Sequence, residues 1–200
     1  MLSIVLDTSN QYLGIGIYKD HQMIDSLLEA GSKKQSEYTI PRLQQLLENH
    51  HLSLKDADEM IITQGPGSYT GVRVAMTIAK VMHVINGCRI KCVSSLNAYA
   101  GLNHMISVID ARSHKVFVGL YDKGKPLMEE TLMTIDEARA FIKERNLPVT
   151  GETQVLGFEA TKCDLVDSIY QLSLSKKPVE HPDLLTPVYI KEVEAKKTCL

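Results

Sequence analysis

The 200 residues suffice for one large or two small domains. A hydrophobic fraction of 44% beside 23% charged residues is that of an ordinary soluble globular protein. With 22 basic and 24 acidic side chains, the chain lacks the basic excess of a protein that holds nucleic acid unaided.

No apolar run approaches the roughly 20 residues that span a bilayer. The opening run Met1-Leu2-Ser3-Ile4-Val5-Leu6 meets Asp7 without a basic leader, so it reads as a buried strand, and a cytoplasmic protein with no membrane contact is expected. Residues 2–6 predict that strand, 13–18 a second and 22–29 a third, joined by tight links into an antiparallel meander. Over 36–50, Ile40, Leu43, Leu46 and Leu47 recur at helical spacing, with Pro41 placed early, where a helix tolerates it. A strand at 60–63 leads into the glycine-rich turn Gly65-Pro66-Gly67-Ser68-Tyr69-Thr70-Gly71. A long helix from about 70 to 85 follows and is stopped by Asn86-Gly87. A strand at 90–93 and a short helix at 95–102, capped by Ser94 or Ser95, complete this half.

The second half restarts the scheme. Strands are predicted at 105–110, 115–121 and 127–133, with a turn at 123–125. A helix over 135–145 carries Asp136 and Glu137 early and Lys143 and Arg145 late, as the helix dipole favours. Residues 147–150 and 155–157 are strand-like. Beyond Ser173, Pro178, Pro182 and Pro187 break the pattern and no element is assigned. Element order therefore repeats although sequence does not. It predicts an α/β chain with a duplicated ribonuclease-H-like fold, two lobes of mixed sheet and a cleft between them. The first lobe is expected at 1–103 and a shortened second at 104–200.

Cys88, Cys92, Cys163 and Cys199 include no C-x-x-C pair. On a strand, Cys88 and Cys92 would stand ~13 Å apart, too far for one metal or one disulfide, so reduced thiols are expected, with Cys92 in the core. Asp7 and Asp110 end corresponding strands of the two halves. They could cap turns, or face each other across a cleft and hold Mg with a nucleotide. The 65–71 turn is neither a Walker A loop nor G-x-G-x-x-G. Its amides could receive an anion, or the segment could simply be a strand-to-helix turn capped by Ser68 or Thr70.

The helix at 70–85 is the most informative stretch. On a wheel of about 100° per residue, Arg73, Thr77, Lys80 and Val84 form a narrow stripe. Val74, Ile78, Val81 and Ile85 lie on one side, and Val72, Met76, Ala79 and His83 on the other, with Ala75 beside them. A helix on one sheet buries one stripe. Two apolar sides require a second cover, either the helix at 36–50 or another chain, and Ala75 and Ala79 would admit a close-packed helix.

Several segments carry a resemblance. Ile4-Val5-Leu6-Asp7-Thr8-Ser9 is similar to the first phosphate loop of the actin and sugar-kinase superfamily. Gln64-Gly65-Pro66-Gly67-Ser68-Tyr69-Thr70-Gly71-Val72-Arg73 resembles the G-P-G-S-[FY]-T-G-[LI]-R block of the TsaB family, and Val108-Ile109-Asp110-Ala111-Arg112 its D-A-R. Val93-Ser94-Ser95-Leu96 and Pro187-Val188-Tyr189-Ile190 fit in order. The resemblance implies an actin-like ATPase fold and a non-catalytic scaffold subunit, not itself an enzyme. Its role would be to support transfer of a threonylcarbamoyl group from threonylcarbamoyl-AMP to the adenosine beside the anticodon of tRNAs reading ANN codons. It implies pairing through the first lobe with a catalytic TsaD-like subunit. A TsaE-like ATPase would join, and tRNA would be met only through the complex. The apolar surface of the 70–85 helix could also pair two copies of the chain as a homodimer in the partner's absence.

On this view the partner face comprises Val72, Arg73, Ala75, Met76, Ala79, Lys80 and His83, with Leu43 and Leu47 from the preceding helix. A vestigial nucleotide site would comprise Asp7, Thr8, Ser9, Gly65, Gly67, Ser68, Thr70 and Asp110. No cofactor is required, although ADP or ATP with Mg could sit at the partner interface. No two of the seven histidines share the i,i+4 spacing of a helical metal site, and Gln35-Ser36-Glu37 stands where relatives often carry His-Ser-Glu, so no metal is expected. No G-x-S-x-G signature supports hydrolysis. The competing reading is a free-standing actin-like ATP-dependent phosphotransferase, against which the glycine-free Ala111-Arg112-Ser113-His114-Lys115 and the curtailed second half both argue.

Overall fold

A computed structural model describes residues 1–30 and 35–190; residues 31–34 and 191–200, with Cys199, lie outside the described residues. In chain order the elements are β1 (Leu2–Asp7), β2 (Tyr12–Lys19), β3 (Gln22–Ala30), α1 (Gln35–Asn49), β4 (Glu59–Thr63), α2 (Tyr69–Asn86), β5 (Arg89–Val93) and α3 (Ser95–Ala100). Then come β6 (Met105–Arg112), β7 (Lys115–Asp122), β8 (Lys125–Pro126), β9 (Thr131–Thr134), α4 (Ile135–Arg145), β10 (Val149–Gly151) and α5 (Leu165–Ser173).

The first sheet runs β3-β2-β1-β4-β5. Its meander is antiparallel, and β4 and β5 add parallel to β1. The second sheet runs β10-β6-β7-β8, with β9 also pairing β7. Its β10 is parallel to β6 and β7 antiparallel. This is the first sheet's order with the last strand missing, so the α/β, two-sheet architecture agrees with the repeated element order of the sequence.

Every residue of β1 is buried because both faces of this strand are covered. Side chains alternate between faces. Ile4 and Leu6 join a cluster with α1 and α2, while Val5 joins a second cluster with α3 and α5. That second cluster continues into Met105, Ile109 and Phe117 of the second sheet, so α3 and α5 are the layer between the two sheets. A third cluster, with Ala138 and Ile142 of α4, closes the far face.

The structure departs from expectation in four places. Residues 155–157 are not a strand; Thr153–Leu156 forms a 3₁₀ turn. The strand expected at 127–133 is reduced to β9 and the two-residue β8. Helix α5, Leu165–Ser173, is an element that the sequence reading does not include. Asp164 caps it by accepting from Asp167 N at 3.0 Å, and Tyr170 stacks on Tyr18 with ring centroids 3.6 Å apart. Finally, residues 165–190 do not stay with the second sheet. After α5, Val179 N donates to Ile90 O and Val188 N to Gln64 O, laying the chain along the first sheet and α2. In packing, the first lobe is 1–103 together with 165–190.

Among the described residues Cys88, Cys92 and Cys163 form no disulfide. Burial pushes Cys88 up to about 11 and Cys92 up to about 12, which leaves both as inert thiols at neutral pH.

Ile169 is fully buried between the sheets. Ile169→Ala is expected to cost about 2–5 kcal/mol in urea unfolding. A cost under about 1 kcal/mol would show that the α5 layer is not part of the core.

Candidate functional site

The end of β1 and the start of α2 are fitted into one another. The Thr8 hydroxyl donates to Gly71 O at 2.6 Å and accepts from Ala75 N at 3.2 Å. Those are the two groups a regular helix would pair with each other, so the side chain is wedged into the first turns of α2. Only glycine allows this approach: a Cβ on Gly71 would lie 2.0 Å from Thr8 O, and one on Gly67 2.4 Å from Ser9 O. Ser68 N donates to Ser9 O at 2.7 Å, and Ser68 Oγ caps the helix by accepting from Gly71 N. The residues Gly65, Gly67, Ser68 and Thr70 thus build a strand-to-helix junction, and the amide of Ser68 is already occupied.

Asp7 is buried at this junction. Its Oδ1 accepts from the Thr63 hydroxyl at 2.5 Å and from Ser9 N at 2.9 Å. Burial pushes its carboxyl above the usual range, opposed by the hydrogen bonds from Thr63 and Ser9. At the corresponding end of β6, Asp110 accepts from Arg112 N at 2.8 Å and from Arg112 Nη1 at 3.0 Å. Asp110 is joined to the seam between the lobes by a residue that sequence reasoning missed. Glu152, just after β10, accepts from Gln11 N at 3.2 Å through Oε1 and from Asp110 N at 2.8 Å through Oε2. Burial raises its carboxyl as well. Beside them the Tyr99 hydroxyl is buried with no hydrogen-bond partner among the described residues, within the fields of Asp7 and Glu152.

The nucleotide implied by the fold family requires free amides at both strand-end turns. Here Ser9 N, Gln11 N, Asp110 N and Arg112 N are all taken by the chain's own carboxylates. The β6–β7 turn places the non-glycine residues Arg112, Ser113 and His114 at positive φ. The residues present do not fit a nucleotide's phosphates. Among the described residues no group of three His, Cys, Asp or Glu could hold a metal ion.

The partner face expected on α2 requires correction. Val72, Ala75, Met76 and Ala79 are at most 4% exposed, and Leu43 and Leu47 at most 1%. All six lie in the first cluster against the sheet. Ala75 and Ala79 are fully buried in the cluster that α2 shares with its own sheet and α1. The remaining three are tied within the chain. Arg73 Nε donates to Tyr189 OH at 3.0 Å, and its guanidinium lies 4.1 Å from the centre of the Tyr69 ring, which stacks on Tyr189. Lys80 Nζ donates to Asp183 O at 3.1 Å, and His83 Nδ1 meets Cys88 O at 3.0 Å. The exposed apolar residues are others: Val84, from the stripe that carries Arg73, is 84% exposed, Val81 and Ile85 of the opposite side are also exposed, and Val74 is half-buried.

With this geometry in hand, comparison with known proteins decides the family. A family model described as "TsaD: tRNA N6-adenosine threonylcarbamoyltransferase" matches residues 29–155. The tRNA threonylcarbamoyladenosine biosynthesis protein TsaB of Bacillus subtilis is 30% identical over 158 residues, covering 74% of this chain and 69% of that protein. The chain belongs to the TsaB family. The Escherichia coli TsaB is 24% identical over 169 residues, 78% of this chain and 71% of its own. A Pseudomonas aeruginosa crystal structure, described as an uncharacterized protein with similarity to peptidase YeaZ, superposes with a TM-score of 0.74. It is 18% identical and covers 95% of this chain and 99% of its own, a likeness of fold alone. Among the described residues no helix is long and apolar enough to cross a membrane.

The buried junction predicts different outcomes for two substitutions of Asp7. Asp7→Asn keeps the acceptor for Thr63 and Ser9 and should leave stability unchanged or raised at neutral pH. Asp7→Ala strands both donors and should cost on the order of 3 kcal/mol. Because the folded pKa lies above the ordinary 3.8, the contribution of Asp7 is fully present below that value and is lost as pH rises through the folded pKa. The stability of wild type relative to Asp7→Asn should therefore fall with rising pH in chemical denaturation; a rise would contradict the assignment.

Proposed function

We propose that this TsaB-family chain is an accessory subunit of tRNA threonylcarbamoyladenosine biosynthesis, with no catalysis and no cofactor of its own, and that it acts by docking onto a TsaD-like catalytic subunit. The observation that carries this reading is the uncovered apolar flank of α2, formed by Val81, Val84 and Ile85 beside half-buried Val74. Exposed valine and isoleucine along one side of a helix cost solvation free energy unless another surface covers them. The family relationship supports the identity of that surface. The internally committed carboxylates and amides of the strand-end turns support a role without chemistry. Any nucleotide of the assembly would then rest on partner residues, a TsaE-like ATPase would join the pair, and tRNA would be met through the complex. In the partner's absence the same flank would pair two copies of the chain.

Val84→Glu and Val81→Glu are expected to weaken co-purification with the TsaD-like subunit at least about tenfold while leaving the melting temperature unchanged, since exposed positions tolerate substitution. Met76→Glu should instead unfold the free chain by burying an unpaired charge. Undiminished association of the Val84→Glu chain would sink the proposed face. Measurable ATP turnover by the isolated chain would revive a phosphotransferase reading.

A further inference from the structure

We propose that Glu152 is an internal anion that seals the mouth of the seam between the two lobes, filling the place where amides of both strand-end turns would otherwise receive an anionic ligand. The inference is independent of the docking flank on α2. It rests on what the two carboxylate oxygens do. Oε2 accepts from Asp110 N within the second lobe, which fixes the side chain in position. Oε1 accepts from Gln11 N, in the turn after β1 of the first lobe, 141 residues away in sequence. One side chain thus presents two oxygens to one N–H from each lobe, which is how an oxyanion would be held between them.

The backbone directs Glu152 to this position. Gly151 has φ +92°, and a Cβ there would lie 2.2 Å from Val108 O. Glu152 N in turn donates to Val108 O at 2.8 Å. The residue therefore leaves β10 through a turn that only glycine permits and crosses to the end of β6. Neighbouring amides are committed in the same manner: Ser9 N to Asp7 and Arg112 N to Asp110. The seam is lined by self-satisfied carboxylates, and the addition of a free anion would meet like charge from Asp7, Asp110 and Glu152.

The test is hydrogen–deuterium exchange on the full chain, wild type against Glu152→Ala, with and without millimolar inorganic phosphate, and with melting temperatures measured alongside. Wild type should protect the amides of Gln11 and Asp110 and ignore phosphate. In Glu152→Ala both amides should exchange about tenfold faster or more, the equivalent of one hydrogen bond to a charged acceptor, and phosphate should restore protection. Three results would overturn the proposal: Gln11 exchange unchanged in the alanine variant, which would make Glu152 a cap of its own lobe; faster exchange that phosphate leaves unaltered; or phosphate protecting wild type as strongly as the variant. Should Glu152→Ala lose its fold, Glu152→Gln has the same shape but sets a donor against one of the two N–H groups. It should free at least one amide and remain insensitive to phosphate, and full protection of both amides in that variant would equally overturn the idea.

Discussion

The depth at which β1 meets α2 sets the rest of the first lobe. A threonine hydroxyl lodged between Gly71 O and Ala75 N fixes where the helix starts and how closely it lies on the sheet. With α2 so close, its small and flexible residues Ala75, Met76 and Ala79 become part of the core shared with the sheet and α1. Val81 and Ile85 on the opposite flank are turned outward, Arg73 and Lys80 are met by the returning chain, and Val84 beyond them stays exposed. A glycine at 71 is the condition for all of this, because any side chain there would collide with the carbonyl of Thr8.

The same junction accounts for the character of the carboxylates. Asp7 and Glu152 are buried and hydrogen-bonded to the chain's own donors, and burial raises both. Perturbed acids in a cleft are a common mark of catalysis. Here each one satisfies backbone or hydroxyl donors that would otherwise be stranded, which is a structural use of the same physics. What characterises these two is where the oxygens point: to the chain's own Thr63 hydroxyl and to the amides of Ser9, Gln11 and Asp110.

Much of this was legible in the sequence. The repeated order of strands and helices gave the two-sheet architecture, and the G-P-G-S-Y-T-G-V-R block marked both the β4–α2 turn and the family. What failed has identifiable causes. A helical wheel shows that α2 has two apolar sides but not which of them lies on the sheet, so Val72, Met76 and Ala79 were placed outward when Val81, Val84 and Ile85 are the exposed set. Ala75 and Ala79 allow close approach of anything, sheet or helix. Helix α5 left a signal that was passed over: Asp164 as a cap, then Leu165, Val166, Ile169, Tyr170 and Leu172 at helical spacing. Glu152 left none, since its partners lie 42 and 141 residues away and no local pattern distinguishes it from a solvated glutamate.

The return of residues 165–190 to the first sheet bears on how the chain is made. During synthesis the strands of that sheet emerge early, yet the helix that covers one face is among the last described elements to leave the ribosome. Until then Val5, Ile61 and Val93 lack the α5 part of their cluster. The second sheet is therefore translated before α5 reaches the first, and the packing of the earlier lobe is completed by a segment made after the later one.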